Sequence, residues 1–352
     1  MPFKNHFYLV LISIFFIFSC KKSQSNRSNS NSTGPDIYVA GYSSDINNNS
    51  YATYWKDGVA ALLPKGLNGR ATSIAVIGND VYVSGNRVAA NNNSVAVYWK
   101  NGVQFDLADS LQSSDTKYIL VKGNDVYIVG DIYGGAYINA VAMLWKNGIS
   151  LKLSDGSYEA SPQMIAFNGS DVYVFGFIII DSPVAFYDAV YWKNGVENRV
   201  PLGNSQSSLG YGIAFNGSSL YFCGDDASSV TQHFIASYWK DGIKTRLADS
   251  TSESDAFNIA FQGADMYVSG ILTANNGITT AILWKNGVAT KLGDGTANSV
   301  AYGIAVDGND VYVAGEDVAG YPSYWKNGQL VQLSQAGTKH AIAMAMTVVP
   351  KQ

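Results

Sequence analysis

The chain reads as an all-β protein, a seven-bladed β-propeller of four-stranded antiparallel blades. Three observations predict it. A Trp-Lys pair followed by Asn-Gly or Asp-Gly recurs at Trp55, Trp99, Trp145, Trp192, Trp239, Trp284 and Trp325, which are all seven tryptophans. Their spacings are 44, 46, 47, 47, 45 and 41 residues. A period near 45 with strand-like content marks a closed array of small sheets. A Tyr with Gly three residues later also recurs seven times, from Tyr38 and Gly41 to Tyr312 and Gly315. Finally, the repeat region opens on Asp36-Ile37-Tyr38-Val39, a second strand with no first, and ends at His340–Val349, a first strand with no second. The missing piece at one end is the surplus piece at the other. The last strand is therefore expected to complete the first blade and shut the ring, leaving few exposed sheet edges.

In chain order, residues 1–19 have the pattern of an export signal. Lys4 gives the positive start, and Phe7 to Phe18 is a twelve-residue apolar run. That is short of the roughly 20 residues a spanning helix needs. The run ends in Ile17-Phe18-Ser19-Cys20. Residues 20–35 then read as a flexible Ser/Asn-rich tether starting at Cys20. Residues 36–352 hold the repeats.

Each repeat carries two hairpin signals. Lys-Asn-Gly or Lys-Asp-Gly between apolar runs fits a type I′ turn, which needs positive φ at both central residues. It joins a third strand, Val95 to Lys100 in the second repeat, to a fourth, Val103 to Leu107. Upstream, Ile74 to Ile77 and Val81 to Ser84 flank a tight Gly-Asn-Asp turn. Each repeat is thus four strands of about five to seven residues. The turns within these two hairpins are short in every repeat, so one face of the disc is trimmed. The other loops are long and varied, and geometry puts them on the opposite face. In the C-terminal strand a period of two sets Ile342, Met344, Met346 and Val348 on one face.

These motifs resemble known families. The order of apolar strand, Gly-x-x-Val-Tyr-Val-x-Gly and Tyr-Trp strand looks like the kelch repeat, and also like the bacterial extracellular repeats of the HAF family. It departs from kelch in closing the second strand with one Gly and in placing Trp on the third strand. The Ile-Phe-Ser-Cys segment resembles the lipobox of bacterial lipoproteins such as those of Bacteroidetes, which implies lipidation of Cys20. Lys21 and Lys22 follow it, unlike the Asp that retains some lipoproteins in the inner membrane. The resemblance therefore implies an outer-membrane address. With Cys20 lipidated, Cys223 has no disulfide partner.

A formal charge of −4 with 14% charged residues and no basic stripe argues against a nucleic-acid partner. The repeating Asp and Trp positions are expected to serve turns and blade packing. No motif for a cofactor, metal or nucleophile stands out, and a monomer is expected. Binding residues gather on variable loops held by a rigid scaffold. The long-loop face is therefore the candidate, its centre ringed by the residues two before each first-strand Ile: Thr72, Lys117, Gln163, Tyr211, Phe257, Tyr302 and His340. The expectation is a non-enzymatic, lipid-anchored envelope scaffold binding a polysaccharide or a partner protein there. The alternative is a glycoside hydrolase or lyase using loop carboxylates, with Asp131, Asp225 and Glu316 as the acidic candidates and solvated loop ends as their bland reading.

Metabolic labelling with a palmitate analogue is expected to mark the wild-type chain and to miss Cys20→Ala. Equal labelling of both would remove the lipoprotein reading.

Overall fold

The Asn-Gly and Asp-Gly turns decide where each sheet folds back. In all seven, the first turn residue has φ between 48° and 51° and the glycine between 78° and 84°, the positive pair that a type I′ turn requires. These values come from a computed structural model. It describes residues 34–351 apart from 135–136, 181–185, 202–206, 228–230, 232 and 335–339. The export signal, Cys20 and nearly all of the tether lie outside the described residues.

The second blade shows the unit. Strands β4 (Arg70–Ile77), β5 (Asp80–Val88), β6 (Ser94–Lys100) and β7 (Val103–Asp106) pair antiparallel in that order. Five further blades repeat it along the chain, beginning at β8 (Ser113–Lys122), β12 (Glu159–Asn168), β16 (Ser208–Asn216), β20 (Ser254–Gln262) and β24 (Val300–Asp307). First strands run to ten residues, while the outermost strand has only four in every blade but one. The described residues contain no helix.

The first blade is built from both ends of the chain. Strand β28 (His340–Val349) pairs with β1 (Asp36–Ser44), followed by β2 (Ser50–Lys56) and β3 (Val59–Leu67). The ring is closed as the sequence predicts, by a seven-bladed array of four-stranded sheets.

Tryptophan fills the wedge between blades. All seven indoles are 0–1% exposed. Trp99 packs with Tyr38, Ala40 and Leu63 of the first blade, and Trp145 with Tyr82, Ala96 and Leu107 of the second. At the closure, Trp55 packs with Tyr312, Ala314 and Leu333 of the seventh blade. Its Nε1 donates to the carbonyl of Ser334 at 2.9 Å. Sheets covered on both faces need apolar side chains on both faces, which explains the unbroken runs such as Val95–Trp99, where alternation would otherwise be expected.

The repeated Asp and Lys close the trimmed face. Six blades pair the Asp opening the second strand with the turn Lys, from Lys326–Asp310 at 2.6 Å to Lys56–Asp36 at 2.9 Å. The turn Asn adds a side-chain bond to the same Asp, as Asn101 does to Asp80 at 2.7 Å. In every blade the Lys ammonium also lies 5.1–5.6 Å from the ring of the repeated Tyr.

One irregularity recurs in all seven blades. The first strand carries a β-bulge opposite the repeated glycine, for example between Ala71 and Ser73 opposite Ser84 and Gly85. The glycine is needed for close approach. A Cβ on Gly85, Gly130 or Gly270 would collide with the carbonyl oxygen of Arg70, Asp115 or Asp255, two residues before the bulge. The bulge also corrects the expected alternation in β28. Ala341, Ala343 and Met346 are the buried side chains, whereas Ile342 and Met344 are only half-buried.

Deleting residues 340–352 removes one whole strand of the first blade and uncovers the cluster of Val39, Trp55 and Tyr312. Buried side chains at about 1.5–3 kcal/mol each soon match a typical domain stability of about 5–15 kcal/mol. The truncated chain is expected to lose its cooperative thermal transition. An unchanged melting curve would contradict the closure.

Candidate functional site

A β-bulge leaves one residue outside the pairing ladder and turns its side chain aside. Here the seven displaced residues are Thr72, Lys117, Gln163, Tyr211, Phe257, Tyr302 and Met344, and all seven line one cavity of about 250 Å³ at the centre of the ring. All are half-buried. Six of the seven positions expected from the sequence are therefore brought together. The seventh is not. His340 stands at the start of β28 opposite Ser44, its ring 6.4 Å from that of Tyr42, and Met344 takes the channel position. The buried apolar residue after the bulge in this strand is Met346, not Ile342, so counting back from the isoleucine missed by four residues.

The channel mouth has two unlike halves. On one side aromatic rings form an arc, with Tyr211 5.7 Å from Phe257 and Phe257 5.6 Å from Tyr302. Phe177 extends it behind Tyr211 at 6.4 Å. Burial raises the Tyr211 hydroxyl pKa, and nearby Asp225 and Asp255 raise it further, so this phenol stays protonated. The other side is polar. Lys117 pairs with Asp131 at 3.2 Å, Gln163 donates to Ser161 at 2.8 Å, and the Thr72 hydroxyl bonds those of Thr116 and Ser84 at 2.9 and 3.1 Å.

The acidic candidates do not converge. They sit in three different blades, each in its own seam against the next. Among the described residues no three His, Cys, Asp or Glu side chains gather in a metal-binding group. Nor are these acids all solvated loop ends: Asp131 is 5% exposed and Asp225 is fully buried. Burial raises the Asp131 carboxyl pKa against the pull of Lys117. Glu316 is raised by burial and lowered by the nearby His340. Asp226, also fully buried, is held by Lys244 at 2.9 Å and Arg246 at 2.7 Å.

In the second, third and fifth blades the residue after the repeated glycine meets the next blade's first strand two positions before its bulge. The sequence reading missed this contact. It joins Asn86 to Asp115 at 2.5 Å and Asp131 to Ser161 at 3.3 Å. It also sets the carboxyl of Asp225 against that of Asp255. Asp225 accepts the backbone N–H of Ala256 at 3.0 Å, and burial together with Asp255 pushes its pKa well up. Asp255 is raised too, chiefly by burial. The repeat offset could have exposed these pairs, since each joins the same two positions of successive blades.

No protein-family model matches the chain, and no curated protein matches it. Solved structures do. The β-propeller domain of the Trilobed protease from Pyrococcus furiosus, described as revealing an open velcro topology, is similar with a TM-score of 0.55 at 12% identity, over 86% of this chain and 93% of that one. An acylaminoacyl peptidase of Pyrococcus horikoshii gives 0.51 at 14% identity, over 85% of this chain and 50% of that one. The tricorn protease gives 0.52 at 9% identity, over 88% and 36%. The chain thus spans half or less of the last two. At these identities the likeness shows the fold. It also corrects the functional expectation. The solved structures similar to this one are described as proteases and peptidases, against the expected polysaccharide-binding scaffold and its glycoside-hydrolase alternative.

The Asp225–Asp255 seam generates a pH prediction. An acid whose folded pKa lies above its unfolded value, about 3.9 for Asp, stabilises the fold fully below that value, and the contribution is lost as pH rises through the folded pKa. Asp225→Asn keeps the acceptor for Ala256 and cannot ionise. Its melting temperature is expected to match the wild type near pH 4 and to exceed it at pH 8. A difference that does not change with pH would show that Asp225 does not titrate with folding.

Proposed function

We propose that this propeller engages peptide chains at its channel mouth and works alongside a peptidase. The observation that carries the reading is the split ring. An aromatic arc offers flat apolar faces to a side chain, while Lys117, Gln163 and Thr72 across the mouth offer hydrogen bonds to a peptide backbone. A small apolar cavity with a few placed polar groups is the usual form of a recognition site. The propellers of the Trilobed protease, the acylaminoacyl peptidase and tricorn support the choice of peptide over other ligands.

The address is part of the same proposal. Cys20 carries lipid, residues 21–35 act as a tether, and the monomeric ring stands on the outer membrane. Its blades are kelch-like in motif order. Two anchoring signals are needed for stable membrane attachment, and the several acyl chains of a lipoprotein cysteine provide them.

The test is fluorescence anisotropy with an N-terminally labelled pentapeptide bearing apolar side chains. Tyr211→Ala, Phe257→Ala and Tyr302→Ala are each expected to weaken binding on the order of tenfold, as central aromatic anchors do. Lys100→Ala, on the trimmed face, should leave it unchanged. Melting curves check that each variant is folded. Full binding by all three aromatic variants would end the reading.

A further inference from the structure

A second cavity, of about 380 Å³, opens where the first three blades meet on the long-loop face. Ser50, Asn68 and Ser113 line it together with the phenols of Tyr42 and Tyr133. Arg70 belongs to the same wall and precedes the channel residue Thr72 by two positions on β4. The cavity therefore borders the channel mouth.

Its charges are unequally committed. Asp115 receives Asn86 Nδ2 at 2.5 Å, Ser94 Oγ at 2.7 Å and the Tyr133 hydroxyl at 3.2 Å. Three donors fix that carboxylate where it is. Asn86, itself buried, uses its Oδ1 to accept the backbone N–H of Arg70 at 2.9 Å, which pins the arginine backbone to the wall. The Arg70 guanidinium is different. Arg87, Arg199 and Arg246 each pair with an aspartate, Asp106, Asp188 and Asp226. Among the described residues the Arg70 guanidinium has no hydrogen-bond or ion-pair partner, and it is exposed at the cavity. Its charge reaches the Tyr42 hydroxyl, where it opposes the rise in pKa that burial imposes.

A guanidinium fork with free donors, carried on a pinned stretch of backbone beside a polar cleft, matches a carboxylate in shape and charge. We propose that this cavity is a carboxylate subsite in which Arg70 receives the end of a peptide whose preceding side chain lies in the channel mouth. The inference rests on the peptide reading above. The carboxylate comes either from the chain terminus or from an acidic side chain. The terminus is favoured because the cleft is at the small end of the roughly 300–1,000 Å³ of ligand sites, room for a residue or two.

The experiment compares three labelled pentapeptides on the full chain: one with a free C-terminal carboxylate, the same peptide amidated, and an amidated version ending in glutamate. The free acid is expected to bind about tenfold more tightly than its amide, the size of one charge-assisted hydrogen bond. Arg70→Gln should bring the free acid down to the level of the amide, with an unchanged melting curve. Rescue of the amide by the terminal glutamate would support the subsite and assign it to side chains. Equal binding of free acid and amide to the wild type would overturn the subsite while leaving the peptide reading intact. A difference that persists in Arg70→Gln would assign the carboxylate to another residue and overturn the proposal. Failure of every peptide to bind would overturn both.

Discussion

Seven wedges must sum to one full turn, and the indole between each pair of sheets sets the wedge. A Trp is the largest apolar body available, and truncating a buried one typically costs about 3–5 kcal/mol. Every indole is shut between its own blade and the one before. The closure is the exception in connectivity, not in packing. Trp55 meets the seventh blade as Trp99 meets the first, although the strand that completes its sheet comes from the other end of the chain.

The clasps on the trimmed face belong to a different energy class. Their Lys and Asp side chains are a quarter to a half exposed, and pairs of that kind contribute about 0–1 kcal/mol each. Blade five shows that one can be omitted, since Ser219 replaces the Asp opposite Lys240. Their repetition is better understood as register control. The turn Asn or Asp accepts the N–H of the second residue of the neighbouring strand, at 2.9 Å from Val81 to Asn101 and from Leu220 to Asp241. A one-residue slip would break that bond and turn every side chain to the wrong blade face.

The fold was legible because its signals are local and repeated: a turn type, a Tyr-to-Gly interval and a Trp interval, each present seven times. Six channel residues were legible for the same reason, being at a fixed offset from an isoleucine. Met344 was not, because β28 alternates Ile, Met and Met around small alanines and the bulge inside it cannot be seen from periodicity. The seam between Asp225 and Asp255 went unread because it joins two unlike positions of successive repeats, which only the repeat offset, and no local motif, brings together. The sequence carries no signal for the ligand class, for a chemical reason. A tyrosine ring presents the same apolar face to a sugar and to a peptide side chain, so Tyr211 and Tyr302 could not decide between them.

The bulges separate two kinds of selection within one strand. Met344, Phe257 and Thr72 occupy the same structural position with unrelated side chains, because a residue outside the ladder has no cross-strand neighbour to satisfy. The glycine opposite is fixed by sterics and the residue above it is left open. A ring of this kind is a seven-place register in which each place can be rewritten without disturbing the strand pairing beneath it. New specificities could arise by single substitutions on an unaltered frame.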